Sequence, residues 1–382
     1  MSEPLPVSVV IPAYNRPAMV ARAVRSALAQ RPSPPAEVIV VDDCSDDETG
    51  AAAEAAGATV IRHEVNRGGA AARNTAIRAA SQEWIAFLDS DDEFLPAHLS
   101  GLWPHRDGHV ILGSSAIACA TNPAHDVLIG RAGRTPDVLT RPANVLRHGN
   151  VLVTSTVLVR RNVAIEAGLF TEGMKRSADL DLWLRVLEHG TGYVSPLVSV
   201  LYHRHPDQVT HDLPSTIDAY ARIVETYADR AGLSRSDLAG FEARVLWDRL
   251  RLDLRLGHRQ AALRRLWRLA QDPRKVPGLL DLLSHRLALR RRRRCYTRAG
   301  LPTIRVWTAS ETLIDRAARR TLPTVDPLER RGFWADLPEI LQRPAGVTVT
   351  DSFARERVAR LGGSRAIRVA PDDTAAFDRL SS

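Results

Sequence analysis

Over the first two hundred positions, apolar residues come in short unbroken runs, each ended by a polar cluster. Val7-Ser8-Val9-Val10-Ile11-Pro12 leads into Ala13-Tyr14-Asn15-Arg16-Pro17, and Glu37-Val38-Ile39-Val40-Val41 leads into Asp42-Asp43-Cys44-Ser45-Asp46-Asp47-Glu48. Trp84-Ile85-Ala86-Phe87-Leu88 leads into Asp89-Ser90-Asp91-Asp92-Glu93. Runs this short and this uniformly apolar suit strands buried on both faces of a parallel sheet better than amphipathic helices. Between them the spacing changes to three and four. Val20, Val24 and Leu28 predict one helix, and the alanine-rich stretch to Ala56, with Ser45 or Asp46 as N-cap, predicts a second. The turn Asn66-Arg67-Gly68-Gly69 opens a third from Ala70 to Ala80, after a short strand at Thr59-Val60-Ile61-Arg62. The alternation of strand and helix predicts an α/β protein with a mostly parallel, doubly wound sheet flanked by helices.

The pattern continues through a strand at Ser155-Thr156-Val157-Leu158-Val159, a helix from Asn162 closed by Gly168, and a helix begun by Asp179 on which Leu180, Trp183, Leu184 and Leu187 recur at helical spacing. A last strand of this part is expected at Val198-Ser199-Val200-Leu201-Tyr202. Beyond residue 212 the character changes. Ile217 to Ala231, Leu238 to Arg255, Gln260 to Ala270 and Leu279 to Leu289 place leucines at helical spacing among arginines. Residues 301–382 carry strand candidates at Thr303 to Trp307, Val347 to Thr350 and Ala366 to Val369. The division expected is a sheet domain over 1–212, an α-helical appendage over 213–300 and a small α/β tail over 301–382 to which no role is assigned.

Composition narrows the partners. The chain has 382 residues, 52 Lys and Arg against 44 Asp and Glu, a net charge of +8, and only Lys175 and Lys275 as lysines. An excess of arginine favours anionic partners. Arg286 and Arg290 to Arg294 follow an apolar face of Leu279, Leu280, Leu283 and Leu287, the pattern of a helix in peripheral contact with an anionic membrane; a solvated helix end would look the same. No nucleic-acid partner is expected. Cys44, Cys119 and Cys295 are odd in number and widely spaced, which argues against a disulfide framework and for a reducing compartment. No run approaches the roughly 18 apolar residues of a spanning helix. A cytoplasmic protein, peripheral at the inner face of the membrane, is the expected location.

The chemistry gathers at one place. Asp89-Ser90-Asp91 is a D-x-D motif at the end of a buried strand, and in open α/β sheets ligands bind at that edge. Hard carboxylate oxygens suit Mn²⁺ or Mg²⁺ carrying a diphosphate. A helix cap ahead of Pro96 would use the same residues. No G-x-G-x-x-G follows the first strand and no G-x-x-x-x-G-K-[ST] occurs, so a diphosphate would have to be neutralised by the carboxylate-bound ion, with help from Arg73. Asp42 reads as a carboxylate that satisfies backbone N–H groups in its turn.

These residues resemble a known family. Val7 to Asn15, Val40-Val41-Asp42-Asp43-Cys44-Ser45, Asn66-Arg67-Gly68 with Arg73-Asn74, and Phe87-Leu88-Asp89-Ser90-Asp91-Asp92 look like the ordered motifs of family 2 glycosyltransferases, which have the Rossmann-like GT-A fold. The resemblance continues through Thr154 to Arg161, Gly168-Leu169-Phe170, Asp179 to Arg185 and Tyr202-His203-Arg204-His205-Pro206, and stops near residue 212. It implies an inverting transferase that moves a sugar from a nucleoside-diphosphate sugar, UDP-linked, to a hydroxyl of a glycan, lipid-linked or peptide acceptor. A different class of reading is a non-catalytic nucleotide-sugar-binding protein that recruits a partner through its C-terminal region. By resemblance, Pro12, Ala13, Tyr14 and Asn15 line the nucleoside pocket and Asp43 accepts a hydrogen bond from the base. Asp89 and Ser90 lie near ribose and phosphates, Arg73 faces the nucleotide, and Asp91 is the metal ligand, joined by His205. Asp179 is the general base, a role compatible with capping its helix. The family's usual Glu-Asp pair is here Ala178-Asp179, and Asp181 and Trp183 are expected to make structural contacts.

Overall fold

A computed structural model describes residues 3–119, 127–130, 136–147, 150–204, 213–227, 235–272, 275–277, 279–280, 283–284 and 287–288, with strand segments at 303–308, 322–323, 344–349 and 367–369. The chain opens β1 (Leu5–Ala13), α1 (Pro17–Leu28), β2 (Pro35–Asp42), α2 (Thr49–Ala55), β3 (Thr59–Arg62), α3 (Gly69–Ala79), β4 (Trp84–Phe87), β5 (Glu93–Phe94) and α4 (His98–Leu102). It continues with β6 (Ile111–Cys119), β7 (Val127–Ile129), β8 (Asp137–Leu139), α5 (Ala143–Arg147), β9 (Val157–Arg160), α6 (Arg161–Glu166), α7 (Ala178–Val186) and β10 (Gly192–His203). Helices α8 (Leu213–Tyr227), α9 (Arg235–Arg255) and α10 (Arg259–Gln271) follow, then β11 (Thr303–Thr308), β12 (Leu322–Pro323), β13 (Pro344–Val349) and β14 (Ile367–Val369).

Strands β1 to β10 form one sheet in the order β3-β2-β1-β4-β9-β6-β10-β5, with β7 beside β6 and β8 beside β10. The β3-β2-β1-β4 half is parallel throughout. Pairing of Ala13 with Asp42 and of Val10 with Phe87 brings the C-terminal ends of β1, β2 and β4 to one edge, as the apolar runs imply. Side chains alternate between two cores. Val7, Val9, Ile11, Trp84, Ala86 and Leu88 pack with α1 and α4, whereas Val10, Ile85 and Phe87 pack with α3 and α7.

Several details depart from the sequence pattern. β9 is antiparallel to both neighbours, β4 and β6, so the sheet is mixed at its centre. The stretch expected as a strand from Ser155 begins with a 3₁₀ turn, Thr154–Thr156, and β9 starts at Val157. Neither Ser45 nor Asp46 caps α2. Its first residue, Thr49, donates its N–H to Asp47 Oδ1 at 3.0 Å, while the Ser45 hydroxyl and the Asp46 N–H are engaged by Asn15 of the neighbouring loop. Helix α8 and the start of α9 contribute Ile223, Tyr227, Leu238 and Phe241 to the α7-side core, so this part of the region after residue 213 shares the sheet's core. Strands β11 to β14 form a separate four-stranded sheet in the order β12-β11-β13-β14. Among the described residues, no helix is long and apolar enough to cross a membrane. Arg286 and Arg290 to Arg294 lie outside the described residues.

Candidate active site

At the edge where β1, β2 and β4 end, three loops meet. The loop after β1 is tied to the loop after β2: Asn15 N–H donates to Ser45 Oγ at 2.9 Å, the Asp46 N–H to Asn15 Oδ1 at 2.9 Å, and the Arg16 N–H to Thr49 Oγ1 at 2.7 Å. Ala13 is buried beneath them, Pro12 is half-buried, and the Tyr14 ring stands 43% exposed above. Four non-glycine residues among those described take positive φ, and three of them, Asn15 (50°), Cys44 (66°) and Ser177 (58°), sit in loops bordering this edge. Such conformations cost energy and concentrate where surrounding structure imposes them.

Asp42 behaves as the sequence implies. It is buried and accepts from the Ser45 N–H at 3.0 Å and from Arg62 at 2.7 Å. Asp43 is more committed than its expected role suggests. Its Oδ1 accepts the Arg67 N–H at 2.9 Å and is hydrogen-bonded to His63 Nδ1 at 2.6 Å, and its Oδ2 accepts the Gly68 N–H at 2.6 Å. Gly68, at φ 85°, turns that N–H onto the carboxylate in a conformation an L-residue rarely adopts. Asp43 thereby fixes the entry to α3, the helix that carries Arg73.

The acidic loop after β4 brings Asp89, Asp91 and Asp92 together, one oxygen from each within 4.8 Å of the others. Arginines from three elements face this loop. Arg73 of α3 pairs with Asp89 at 2.5 Å, Arg16 with Asp91 at 2.8 Å, and Arg22 of α1 with the buried Glu93 at 3.0 Å. Arg22 also donates to the Asp91 carbonyl at 2.8 Å. Asp92 is held differently. It is fully buried, accepts from Ser155 Oγ at 2.5 Å and from the His203 N–H at 3.1 Å, and burial together with the charges of Asp91 and Asp89 pushes its carboxyl well above the usual range. Ser155 also accepts the Asp89 N–H at 3.1 Å, so one hydroxyl spans two of the carboxylate residues. Ser90 is buried in the same turn.

Helix α7 supplies the opposing wall. Trp183 lies in the core against Phe87 and Phe170, at centroid separations of 5.5 and 6.0 Å, and donates its indole N–H to the Leu152 carbonyl at 3.0 Å. Asp179, one turn earlier on the same face, is thereby aimed at the site. Its Oδ2 accepts from Asn150 at 2.6 Å; burial pushes its carboxyl up, opposed in part by the Leu180 backbone bond and by Arg73. Asp179 keeps an opening to solvent. Asp181 is structural: Oδ2 accepts from Thr171 at 2.7 Å and from Arg185 at 2.6 Å, and Oδ1 from the Tyr227 hydroxyl at 2.8 Å. Arg73 also lies 5.5 Å over the Phe170 ring, which places it between the acidic loop and α7.

Thus Asn15, Asp43, Arg73, Asp89, Ser90, Asp91 and Asp179 all border one edge, and His205 lies outside the described residues. Sequence reasoning passed over Arg16, Arg22, Ser155, Asn150 and the buried contact of His203 with Glu93 at 2.6 Å. One signal was available. Arg22 and Ser26 interrupt the apolar face of α1 four residues apart, Gln30 follows just past its end, and all three are buried. Ser26 Oγ accepts the Phe94 N–H at 3.1 Å, and Gln30 donates to the Leu95 carbonyl at 2.9 Å and accepts the Leu99 N–H at 3.0 Å. That polar stripe holds the segment after the acidic loop in place.

In sequence, a model of glycosyl transferase family 2 matches residues 8–144, a segment that contains Asp43, Arg73, Asp89 and Asp91 and stops short of Asp179. The chain is similar to the succinoglycan biosynthesis protein ExoO of Rhizobium meliloti, 32% identical over 267 residues that cover 64% of this chain and 73% of that protein. It is also similar to the putative teichuronic acid biosynthesis glycosyltransferase TuaG of Bacillus subtilis, 40% identical over 193 residues, 48% of this chain and 73% of that one. In fold it is similar to residues 1–349 of TarS from S. aureus, solved in complex with UDP-GlcNAc, with a TM-score of 0.53 and 17% identity over 74% of this chain and 91% of that structure.

Proposed function

This chain belongs to glycosyl transferase family 2, and we propose that it is an inverting transferase that moves a sugar from a UDP-linked donor to a hydroxyl of an envelope glycan. One observation carries the reading: Asp89, Asp91 and Asp92 converge at the ligand edge of the sheet, flanked by Arg16 and Arg73, with Asp179 on the helix that walls the same edge. The names of the succinoglycan and teichuronic acid relatives support a polysaccharide acceptor, and the TarS complexes with UDP-GlcNAc and UDP support the donor.

In this reading the uracil and ribose rest against Pro12, Ala13, Tyr14 and Asn15, with the exposed Tyr14 ring offering a stacking face. Asp43 anchors the turn beneath the base, and Asp89 and Ser90 border ribose and phosphates. The donor set fits a hard divalent ion: three carboxylates crowd within 4.8 Å, and burial, with the charges of Asp91 and Asp89 added to it, raises the pKa of Asp92. Mn²⁺ or Mg²⁺ held by Asp91, with Asp89 and Asp92 beside it, would neutralise charge that gathers on the leaving diphosphate. Arg16 and Arg73 stand on either side of that position and offer guanidinium groups to phosphate oxygens. Asp179 accepts the proton of the acceptor hydroxyl as the new bond to the anomeric carbon forms. The bond to the diphosphate breaks on the opposite face, so the configuration inverts. Asn150 orients the carboxylate, and its burial raises its affinity for that proton.

Thermal unfolding with UDP, GDP and ADP, each with Mn²⁺ or with chelator, tests the site. Binding stabilises the fold by mass action, about 2.7 kcal/mol at a ligand concentration a hundred times Kd. UDP with Mn²⁺ should give the largest shift and chelator should remove most of it. Equal shifts with and without metal, or none with any nucleotide, would overturn the assignment.

A further inference from the structure

Away from the sheet edge, the feature that demands a partner is the outer face of α10 and the turn that leads into it. Helices α9 and α10 pack as a hairpin around Gly257, with the His258 N–H donating to the Asp253 carbonyl at 2.8 Å. The inner face of α10 is accounted for: Ala262 and Leu269 are buried, and Arg265, on the same side, pairs with Asp253 at 2.5 Å. Among the described residues, nothing accounts for the outer face. Leu263, Leu266 and Trp267 recur at helical spacing over an arc of about 100°. They are 65%, 51% and 64% exposed, and Leu254 and Leu256 beside the turn are 59% and 57% exposed. Large apolar side chains clustered on a surface mark an interaction site.

Charge decides which partner fits. From Leu254 to Gln271 the sequence has five arginines, one histidine and no aspartate or glutamate. Arg264 and Arg268, exposed and four residues apart, run along one border of the apolar stripe, and the exposed Arg255 and Arg259 lie at the turn. Two copies of the chain meeting through this face would bring like charges together, with no carboxylate on the segment to answer them. An anionic lipid surface meets both needs: apolar side chains enter the boundary of headgroup and acyl chain, and arginines reach lipid phosphates while their stems cover apolar surface. Tryptophan favours that boundary. We infer that α10 and its leading turn form a membrane-docking surface, with Leu263, Leu266 and Trp267 inserted among the headgroups of an anionic bilayer and Arg264 and Arg268 bound to their phosphates. This contact is independent of the catalytic reading and uses residues distinct from the arginines at 290–294.

The test uses the full chain with vesicles of phosphatidylcholine, with or without phosphatidylglycerol, in a flotation assay at low and high salt. The parent protein should float with anionic vesicles at low salt and separate from them as salt rises. Arg264→Gln with Arg268→Gln should lower partitioning on the order of 30-fold, the effect of two charges near the surface. Leu263→Ser with Trp267→Ser should lower it further at low salt. Both variants change exposed side chains, so their UDP-induced thermal shift should equal that of the parent, which separates docking from catalysis. Three results would each overturn the inference: failure of the parent to float, undiminished flotation of both variants, or loss of flotation only when Arg290 to Arg294 are replaced by glutamine. A parent dimer in sedimentation velocity that Leu263→Ser with Trp267→Ser converts to monomer would overturn it as well, by assigning this face to a second copy.

Discussion

Asp179→Asn separates proton abstraction from every structural duty of that position. Asparagine has the shape of aspartate, and its side-chain oxygen can still accept the Asn150 hydrogen bond that reaches Asp179 Oδ2 at 2.6 Å. What it cannot do is take a proton. Loss of a positioned general base costs about 10²- to 10⁴-fold in rate, or about 2.7–5.4 kcal/mol of transition-state stabilisation. Stability should hardly change. A carboxylate on the first turn of α7 gains about 0.3–1 kcal/mol from the helix dipole, but burial pushes the Asp179 carboxyl above its ordinary 3.8, so the charge it carries is already disfavoured. The same shift sets the pH profile. As a base Asp179 must be ionised, so the acid limb of kcat/KM in the parent should fall at a pH above 3.8 and vanish with Asp179→Asn. The assay follows radiolabelled sugar from the donor that best stabilises the protein, with donor affinity measured by calorimetry on the same preparations. Asp181→Asn is the control. It weakens the contacts to Thr171, Arg185 and Tyr227 and should lower stability, whereas Asp179→Asn should not. Full transfer by Asp179→Asn, beside a folded but inactive Asp181→Asn, would show that the base is assigned to the wrong aspartate.

Three further outcomes are expected. Asp91→Ala should leave the fold intact, because the residue lies in a loop, and should abolish the Mn²⁺ enhancement of UDP binding; equal Mn²⁺-dependent affinity by calorimetry would refute the ligand assignment. Asp43→Asn puts an amide N–H against one of the backbone donors of Arg67 and Gly68, and at about 1.5–3 kcal/mol for a charge-assisted bond it should lower the urea midpoint and weaken UDP binding together; an unchanged midpoint would show the turn does not depend on it. Burial lowers the pKa of His98 to about 3 from an ordinary 6.5. Unfolded chains therefore take up a proton that the folded protein refuses. Stability should drop as pH falls below 6.5, by about 1.4 kcal/mol between pH 7.5 and 5.5 from this residue. His98→Phe should flatten that part of the profile in urea titrations at the two pH values, and an identical slope in parent and variant would contradict the assignment.

By itself the sequence determined the parallel half of the sheet and the edge at which chemistry gathers. Strands buried on both faces must be apolar at nearly every position, so β1, β2 and β4 stand out as runs, and the polar clusters that end them can only fall at the edge where those strands stop. The order of the motifs carried the family, and the helical spacing behind Asp179 placed it at the start of α7. Local pattern failed where partners are distant in the chain. Nothing near Ser155 announces that its hydroxyl meets Asp92, 63 residues away, or that β9 enters the sheet antiparallel between β4 and β6. Ser45 and Asp46 have the chemistry of helix caps, yet α2 begins only at Thr49, and Asn15 of the neighbouring loop takes the Ser45 hydroxyl and the Asp46 N–H instead. Only the tertiary structure decided which charges meet: Arg16 with Asp91, Arg73 with Asp89 and Arg22 with Glu93 join elements 75, 16 and 71 residues apart in the chain. Burial fixes such pairings because a carboxylate taken out of water needs a specific counter-charge or donor, and the packing of the whole sheet determines which one lies within reach.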